Sequence, residues 1–319
     1  MSKFLERDDH RINRLSSFLY WEGNLETKKV HPIKRNIYYI ETTSGDAYVL
    51  KGHSNMNNVQ QQWEFFNRIQ SNHIVPFTKF PNGKKEITAG TKYSWTISPY
   101  ISGRKLNYKS PVDRNRAVST IKKFHYQASG IYVNHFIRKQ LFFTRWDARQ
   151  EKFLSTEEIF EKLGFMKLFQ DMNILMKKYI HVVSSYDWKK EQLEAERKGC
   201  WVHGDVASHN YLLKNEQTYL IDFDLLHCTS QLYDVIQLGQ RFLPNIDWDV
   251  NTLLQYNMVK EEEIERFLYS VFIPSDMVRE WLHFLTKKRR ITVHSYLEIM
   301  ENEWIKRKEF LKESIKLIK

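Results

Sequence analysis

The feature that most constrains this chain is the run Trp201-Val202-His203-Gly204-Asp205-Val206-Ala207-Ser208-His209-Asn210, followed downstream by Leu220-Ile221-Asp222-Phe223-Asp224. The first segment sets a carboxylate and a carboxamide five residues apart on a loop between short strands. The second is an apolar strand ending in acids, which aims carboxylates out of the edge of a core. Hard oxygen donors of this kind suit Mg2+, which takes one or two carboxylates and keeps waters and substrate phosphates as its other ligands. Asn210 can add a neutral oxygen. An acidic strand end alone is commonplace. Joined to His-Gly-Asp-x-x-x-x-Asn at this spacing, it becomes a specific signal that structural context can test.

The pattern around these segments defines the fold class. Two strands around a glycine turn are expected at 36–42 and 47–51, with Ser44-Gly45-Asp46 between them. A helix is expected over about 57–70, where Val59, Trp63, Phe66 and Ile69 recur at helical spacing. A second hairpin is expected over 77–100, turning at Pro81-Asn82-Gly83 and carrying a strand at Tyr93–Ser98. Pro99, Ser102 and Gly103 break that pattern. Residues 1–30 read as helix first and then irregular. Beyond about 111 the periodicity is helical, with brief strand signals at 200–202, 211–213 and 218–223. Strands in the first third and helices in the remainder make an α+β arrangement, with the joint near 99–103. An aromatic content of 14% argues against disorder, and 11 Gly with 7 Pro leave little material for a long flexible linker.

Charge and cysteine usage narrow the setting. Two cysteines, Cys200 and Cys228, match neither a zinc spacing nor a disulfide framework, as expected of a reduced, cytoplasmic chain. The first residues are charged and lack the apolar run of a signal peptide. No apolar segment approaches membrane-spanning length. The net charge is +11, yet the densest basic cluster, Lys287-Lys288-Arg289-Arg290, is only four residues long. Runs of that size are usually solvated surface. No recognition motif accompanies the charge, so no nucleic-acid partner is expected.

The loop His203-Gly204-Asp205-x-x-x-x-Asn210 with Asp222-Phe223-Asp224 resembles the catalytic and metal-binding loops of the aminoglycoside phosphotransferase and choline kinase group, a branch of the protein-kinase-like fold. The resemblance implies a bilobal kinase-like fold, with a small antiparallel β-sheet N-lobe and a large, mainly helical C-lobe. Residues 1–100 would form the nucleotide-binding lobe. Residues 101–319 would form the helical lobe with the catalytic loop and acceptor site. Carried over by position, Asp205 would be the catalytic base, Asn210 and Asp222 the metal ligands, His203 a structural residue and Asp224 a helper. Upstream, Tyr48-Val49-Leu50-Lys51 resembles the strand of the phosphate-binding lysine, and Glu64 on the next helix would orient that lysine. Trp95-Thr96-Ile97-Ser98-Pro99-Tyr100-Ile101 resembles the hinge strand, so the backbone from Ser98 to Tyr100 would meet adenine. The implied cofactors are ATP and Mg2+, lying between the lobes. The implied reaction is phosphoryl transfer to a hydroxyl of an unidentified small molecule.

A narrower likeness is carried by Ile121-Lys122-Lys123-Phe124-His125-Tyr126-Gln127-Ala128-Ser129-Gly130, by Trp146–Phe153, and by Tyr256-Asn257 followed by Phe272-Ile273-Pro274. In this order, with the His-Gly-Asp loop, they are similar to CotS/YutH-type spore-coat proteins, a branch of the same superfamily. That resemblance implies sporulation, a place in the spore coat and other coat proteins as partners. One departure stands out. Kinases carry a glycine-rich loop between their first two strands, where glycine lets backbone amides approach phosphate. The corresponding stretch here, Val30-His31-Pro32-Ile33-Lys34-Arg35-Asn36, has no glycine. Two readings therefore compete, a small-molecule phosphotransferase and a kinase-like structural or binding protein of the spore coat with reduced turnover. Asp234 is expected to anchor the catalytic loop. His125 and His209 read as packing or surface histidines, the aromatics of 245–285 as core, and residues 295–319 as an amphipathic packing helix.

Overall fold

The computed structural model describes residues 2–89, 93–287 and 291–318, with side chains from Ile12 onward apart from Ala89. Of the basic cluster at 287–290, only Lys287 lies inside the described residues. In chain order the elements begin with α1 (Ser2–Gly23), β1 (Thr27–Lys34), β2 (Ile37–Thr42), β3 (Ala47–His53), α2 (Met56–Phe66), β4 (Ile87–Ala89), β5 (Tyr93–Pro99) and β6 (Arg104–Lys105). Next come α3 (Pro111–Gln127), α4 (Phe142–Leu154), α5 (Glu157–Lys162), α6 (Met166–Ser184), α7 (Trp188–Lys198), β7 (Trp201–Val202), β8 (Tyr211–Lys214), β9 (Gln217–Leu220) and β10 (His227–Cys228). The chain closes with α8 (Leu232–Phe242), α9 (Val250–Gln255), α10 (Ile264–Phe272), α11 (Ser275–Thr286) and α12 (Val293–Ile318). These elements fall into two compact units. The first takes the chain through Lys105 together with 131–137 and 211–224, and the second takes 106–130, 138–210 and the chain from Leu225.

In the first unit an antiparallel sheet runs in the order β1-β2-β3-β5-β4. β2 alternates between buried and half-buried residues, the mark of a strand with one face on a core. Ile40, Leu50 and Ile97 of the sheet pack with Leu19 of α1 and with Leu25, Phe80 and Trp95. The β2–β3 hairpin turns where expected, at Gly45 with φ 90°. β1 was not foreseen, and its composition explains why. Only Val30 is buried along it, so no alternation shows, and Pro32 argues against a strand everywhere except at a sheet edge, where β1 lies. The turn at Pro81-Asn82-Gly83 forms, with the Phe80 amide donating to the Lys84 carbonyl at 2.9 Å, but it precedes β4. The α2 helix stops at Phe66, a turn short of the expected end, and its start is capped by the Asn55 side chain. A smaller sheet, β6-β8-β9, completes this unit. β9 is tied to residues 73–75: the Leu220 amide donates to the His73 carbonyl at 2.7 Å, and the Leu220 carbonyl accepts from the Val75 amide at 3.0 Å.

The second unit is helical around the short ladder β7–β10. Phe153, Phe160 and Phe169 meet at ring distances of 4.9 to 5.4 Å. Trp281 meets this cluster edge-on through Phe160, with its indole N–H on the Thr156 hydroxyl at 3.0 Å. Of the aromatics expected in the core, Trp248, Phe267, Phe272 and Trp281 are buried, while Tyr256 and Phe284 are half-buried. α12 is a packing helix: Leu297, Trp304 and Phe310 are buried along it, and Arg307 reaches Asp276 from a fully buried position. No helix of the described residues is long and apolar enough to cross a membrane.

Candidate functional site

In the first unit, β3 and the segment after β9 build one cluster. Leu50 is buried in the core, so strand alternation puts Lys51 and His53 on the opposite face. β9 ends at Leu220, and Asp222 takes φ 66°, a left-handed conformation that Asp and Asn tolerate better than other side chains. Asp222 and Asp224 reach the same ammonium, with Lys51 Nζ 2.6 Å from Asp222 Oδ1 and 2.7 Å from Asp224 Oδ2. Burial pulls the Lys51 pKa down, but the two carboxylates outweigh it and hold the ammonium above its ordinary value. His53 sits 3.9 Å from Asp224 and holds the Thr96 hydroxyl at 2.9 Å. Burial first and the Lys51 charge second push its imidazole down to about 4, against the opposing pull of Asp224. His53 was not among the expected site residues. Its signal was the strand period of two from Lys51.

Glu64 does not share this cluster. Its carboxylate accepts from the backbone amides of Asn134 and His135 and from the His135 ring. Burial alone would raise its pKa, yet His135 and those amides hold it below the ordinary carboxylate range. The orienting contact expected of Glu64 is thus made to Lys51 by Asp222 and Asp224. Ser98 is half-buried near the end of β5, in register with Val49 of β3. The Tyr100 amide donates to the Ala47 carbonyl at 2.9 Å, and its ring stands edge-on to Tyr39. Tyr100 can therefore offer a ligand its carbonyl but not its committed N–H.

In the second unit, one face of α8 organises the catalytic-motif loop. Asp234, Gln237 and Arg241 fall at helical positions i, i+3 and i+7, which share a stripe. Asp234 is fully buried and accepts from the His203 amide at 2.7 Å, the Gly204 amide at 2.8 Å and His125 Nε2 at 3.0 Å. Burial would raise its pKa, but His125 and the loop amides hold it below the ordinary value. Gln237 donates to the Gly204 carbonyl at 3.1 Å, and Arg241 to Asp205 Oδ1 at 2.7 Å. Asn210, also buried, spends its amide nitrogen on the Asp205 carbonyl at 2.9 Å, which makes its oxygen the atom it can present to a cation. The anchoring role read for Asp234 is what the structure shows. Arg241 was missed, though its heptad spacing from Asp234 carried the signal.

A cavity of about 430 Å³ opens in this unit beside the loop, with Ala207, Ser208 and His209 on its wall together with Arg241. Its other walls come from α4, α8 and α11 and from residues 107–109 and 244–245. Its size falls within the range of small-molecule sites.

In the first unit, two carboxylates converging on one ammonium leave that cluster with net negative charge, and carboxylates are hard oxygen donors of the kind Mg2+ prefers. In the second unit, the Asn210 carboxamide oxygen is a donor of the same kind.

Comparison with known proteins gives this chemistry a lineage. Residues 35–257 match the phosphotransferase enzyme family. Among solved structures, an aminoglycoside phosphotransferase from Alicyclobacillus acidocaldarius superposes with a TM-score of 0.70 at 18% identity, covering 92% of this chain and 93% of that one. A spectinomycin phosphotransferase in complex with AMP gives 0.62 at 15% identity, covering 94% of each chain. An amicoumacin kinase in complex with AMP-PNP and Ca2+ gives 0.60 at 12% identity, covering 98% of this chain and 96% of that one. At these identities the likeness establishes the fold, a kinase-like one with an antiparallel β-sheet N-terminal region and a mostly helical remainder. No curated protein matches the chain by sequence.

Proposed function

This chain belongs to the phosphotransferase enzyme family, and on that premise we propose that it transfers a phosphoryl group from ATP, with Mg2+, to a hydroxyl of a small molecule. The observation that carries the reading is the Lys51 ammonium shared by Asp222 and Asp224. A lysine and paired carboxylates are what a metal–triphosphate needs. Residues 1–100 serve as the nucleotide-binding lobe in this reading, and 101–319 carry the catalytic loop and the acceptor site. Lys51 neutralises phosphate charge, and the backbone at Ser98 and Tyr100 meets adenine through carbonyl oxygens. Glu64 enters through its grip on residues 134–135, which steadies the helix after the lysine strand. Mg2+, when bound, neutralises charge on the transferring phosphate, and Asp222 and the Asn210 oxygen are the residues that would hold it.

Asp205 is the base. The acceptor oxygen forms its bond to the γ-phosphorus as the bond from that phosphorus to the β-phosphate oxygen breaks. The hydroxyl proton passes to Asp205, and ADP leaves. Arg241 on Asp205 Oδ1 fixes the carboxylate before the acceptor arrives, so the chain's contribution is mainly positioning and electrostatics. The test is a panel of hydroxyl compounds with Mg·ATP, read as ADP release. Once an acceptor is found, Asp205→Asn should bind ATP as the wild type does and lose transfer by about a thousandfold. Equal turnover in the two proteins would remove Asp205 from the mechanism.

A specific observation favours a second reading. β1 and β2 are joined by Arg35 and Asn36 alone, with Asn36 at φ 60°, and no glycine occurs from Thr27 to Thr42. Side chains keep such a backbone from approaching phosphate as closely as glycine allows. On this reading the chain is a kinase-like binding protein made in the cytoplasm and assembled with other proteins of the spore coat, as the CotS/YutH resemblance implies. Nucleotide binding without ADP release across the panel supports it over the enzyme.

A further inference from the structure

The cavity of the second unit holds more positive charge than its own acids balance. Arg145 and Arg149 stand four residues apart on α4, so they share a face. Like charges so placed work against a helix, and their partners here are not carboxylates. Arg145 contacts the Tyr233 hydroxyl, with its guanidinium 5.1 Å from the centre of that ring. Arg149 donates to the Ser275 hydroxyl at 2.6 Å. α11 packs on α4 and adds a third guanidinium, Arg279. Burial, followed by the charges of Arg279 and Arg145, weakens the hold of Arg149 on its proton.

The acids on the cavity wall are already engaged. Asp276 is held by both terminal nitrogens of Arg307 at 2.9 Å. Glu280 sits 2.9 Å from Arg279. Phe142 and Trp146, both buried, supply aromatic walls. Planar guanidinium forks recognise carboxylate and phosphate oxygens with paired hydrogen bonds.

We infer that this cavity binds an anionic small molecule, an alcohol carrying a carboxylate or a phosphate, with Arg145 and Arg149 on the anionic group and the rings of Phe142 and Trp146 against the carbon skeleton. A polycationic ligand would face the guanidiniums of Arg145 and Arg149 and is disfavoured. Anion binding stands on these residues alone. That the anion is the phosphoryl acceptor rests on the phosphotransferase reading, and Arg241, which holds Asp205, lines the same cavity.

The test uses the full chain without nucleotide and four probes of similar size: gluconate, glucose 6-phosphate, glucose and glucosamine. Melting temperature and tryptophan fluorescence are followed against probe concentration. Gluconate or glucose 6-phosphate should give a saturable response, and which one does so identifies carboxylate or phosphate as the preferred anion. Glucose and glucosamine should give none. The double variant Arg145→Gln/Arg149→Gln should bind the responding probe about tenfold more weakly or worse. No response to either anion, an equal response to glucosamine, or unchanged affinity in the variant would overturn the inference. If the double variant does not fold, phenylglyoxal labelling of the wild type decides. The anionic probe should shield Arg145 and Arg149, and labelling unaffected by the probe would overturn it. A wild type that releases ADP from Mg·ATP in the hydroxyl panel but responds to neither anion removes this inference alone. Anion binding with no response to Mg·ATP removes the phosphotransferase reading alone.

Discussion

Gly204 adopts φ 83°, and a Cβ built there would lie 2.3 Å from the Leu225 carbonyl oxygen. Both its amide and its carbonyl are bound by side chains of α8, so the loop has no slack with which to accommodate a methyl group. Gly204→Ala should therefore cost on the order of 2 kcal/mol or more, from the left-handed backbone and the forced displacement together. The measurement is the urea midpoint at an unchanged slope, and an unmoved midpoint would contradict the account. Asp234 sets the other limit at this scale. Removing one partner of a buried, fully bonded carboxylate is among the few single changes that cost several kcal/mol. The motif residues themselves were legible in the sequence, because their types and spacing are local. The contact of Glu64 was not legible, since residues 134–135 reach it from some 70 positions away along the chain.

At the scale of elements, α8 ties the site together. A single helical stripe bonds the loop backbone through Asp234 and Gln237 and the proposed base through Arg241. The periodicity of that stripe was readable. Its target was not, because helical spacing says which residues share a face and not what they face. β9 makes the same point from the sheet side. Its apolar run predicted a strand ending in acids, but only the pairing of Leu220 with residues 73–75 delivers Asp222 to Lys51. β1 was illegible because an exposed edge strand has no hydrophobic alternation to read.

The short β7–β10 ladder carries its own prediction. His227 of β10 is buried with Nδ1 on the Leu225 carbonyl at 2.8 Å. Burial first and Lys139 second lower its pKa to about 4. A histidine depressed in the folded state adds stability above its unfolded pKa of about 6.5 and loses it as pH falls toward about 4. Between pH 7 and pH 5 the wild type should lose about 2 kcal/mol more stability than His227→Gln. Urea unfolding at the two pH values checks this, and parallel losses in both proteins would contradict it.

At the scale of the whole molecule, the net charge of +11 acquires a local meaning. Solvated surface does not account for all of it: among the described residues Arg114 and Arg307 are buried, and the half-buried Arg145 and Arg149 stand in the cavity of the second unit, where their charge is less screened than at an open surface. The kinase-like fold was legible from one motif pair together with the change from strand to helix along the chain. On the proposed reading, turnover depends on how phosphate is held without a glycine-rich loop, and Lys51 with Asp222 would carry that burden. The most direct test is the melting temperature with Mg·ATP for wild type and Asp222→Ala. At about a hundredfold excess of nucleotide over Kd, binding to the folded state adds about 2.7 kcal/mol, a rise of roughly 5 °C. The account predicts that rise in the wild type and its loss in Asp222→Ala. No rise in the wild type, or an equal rise in both proteins, would contradict it.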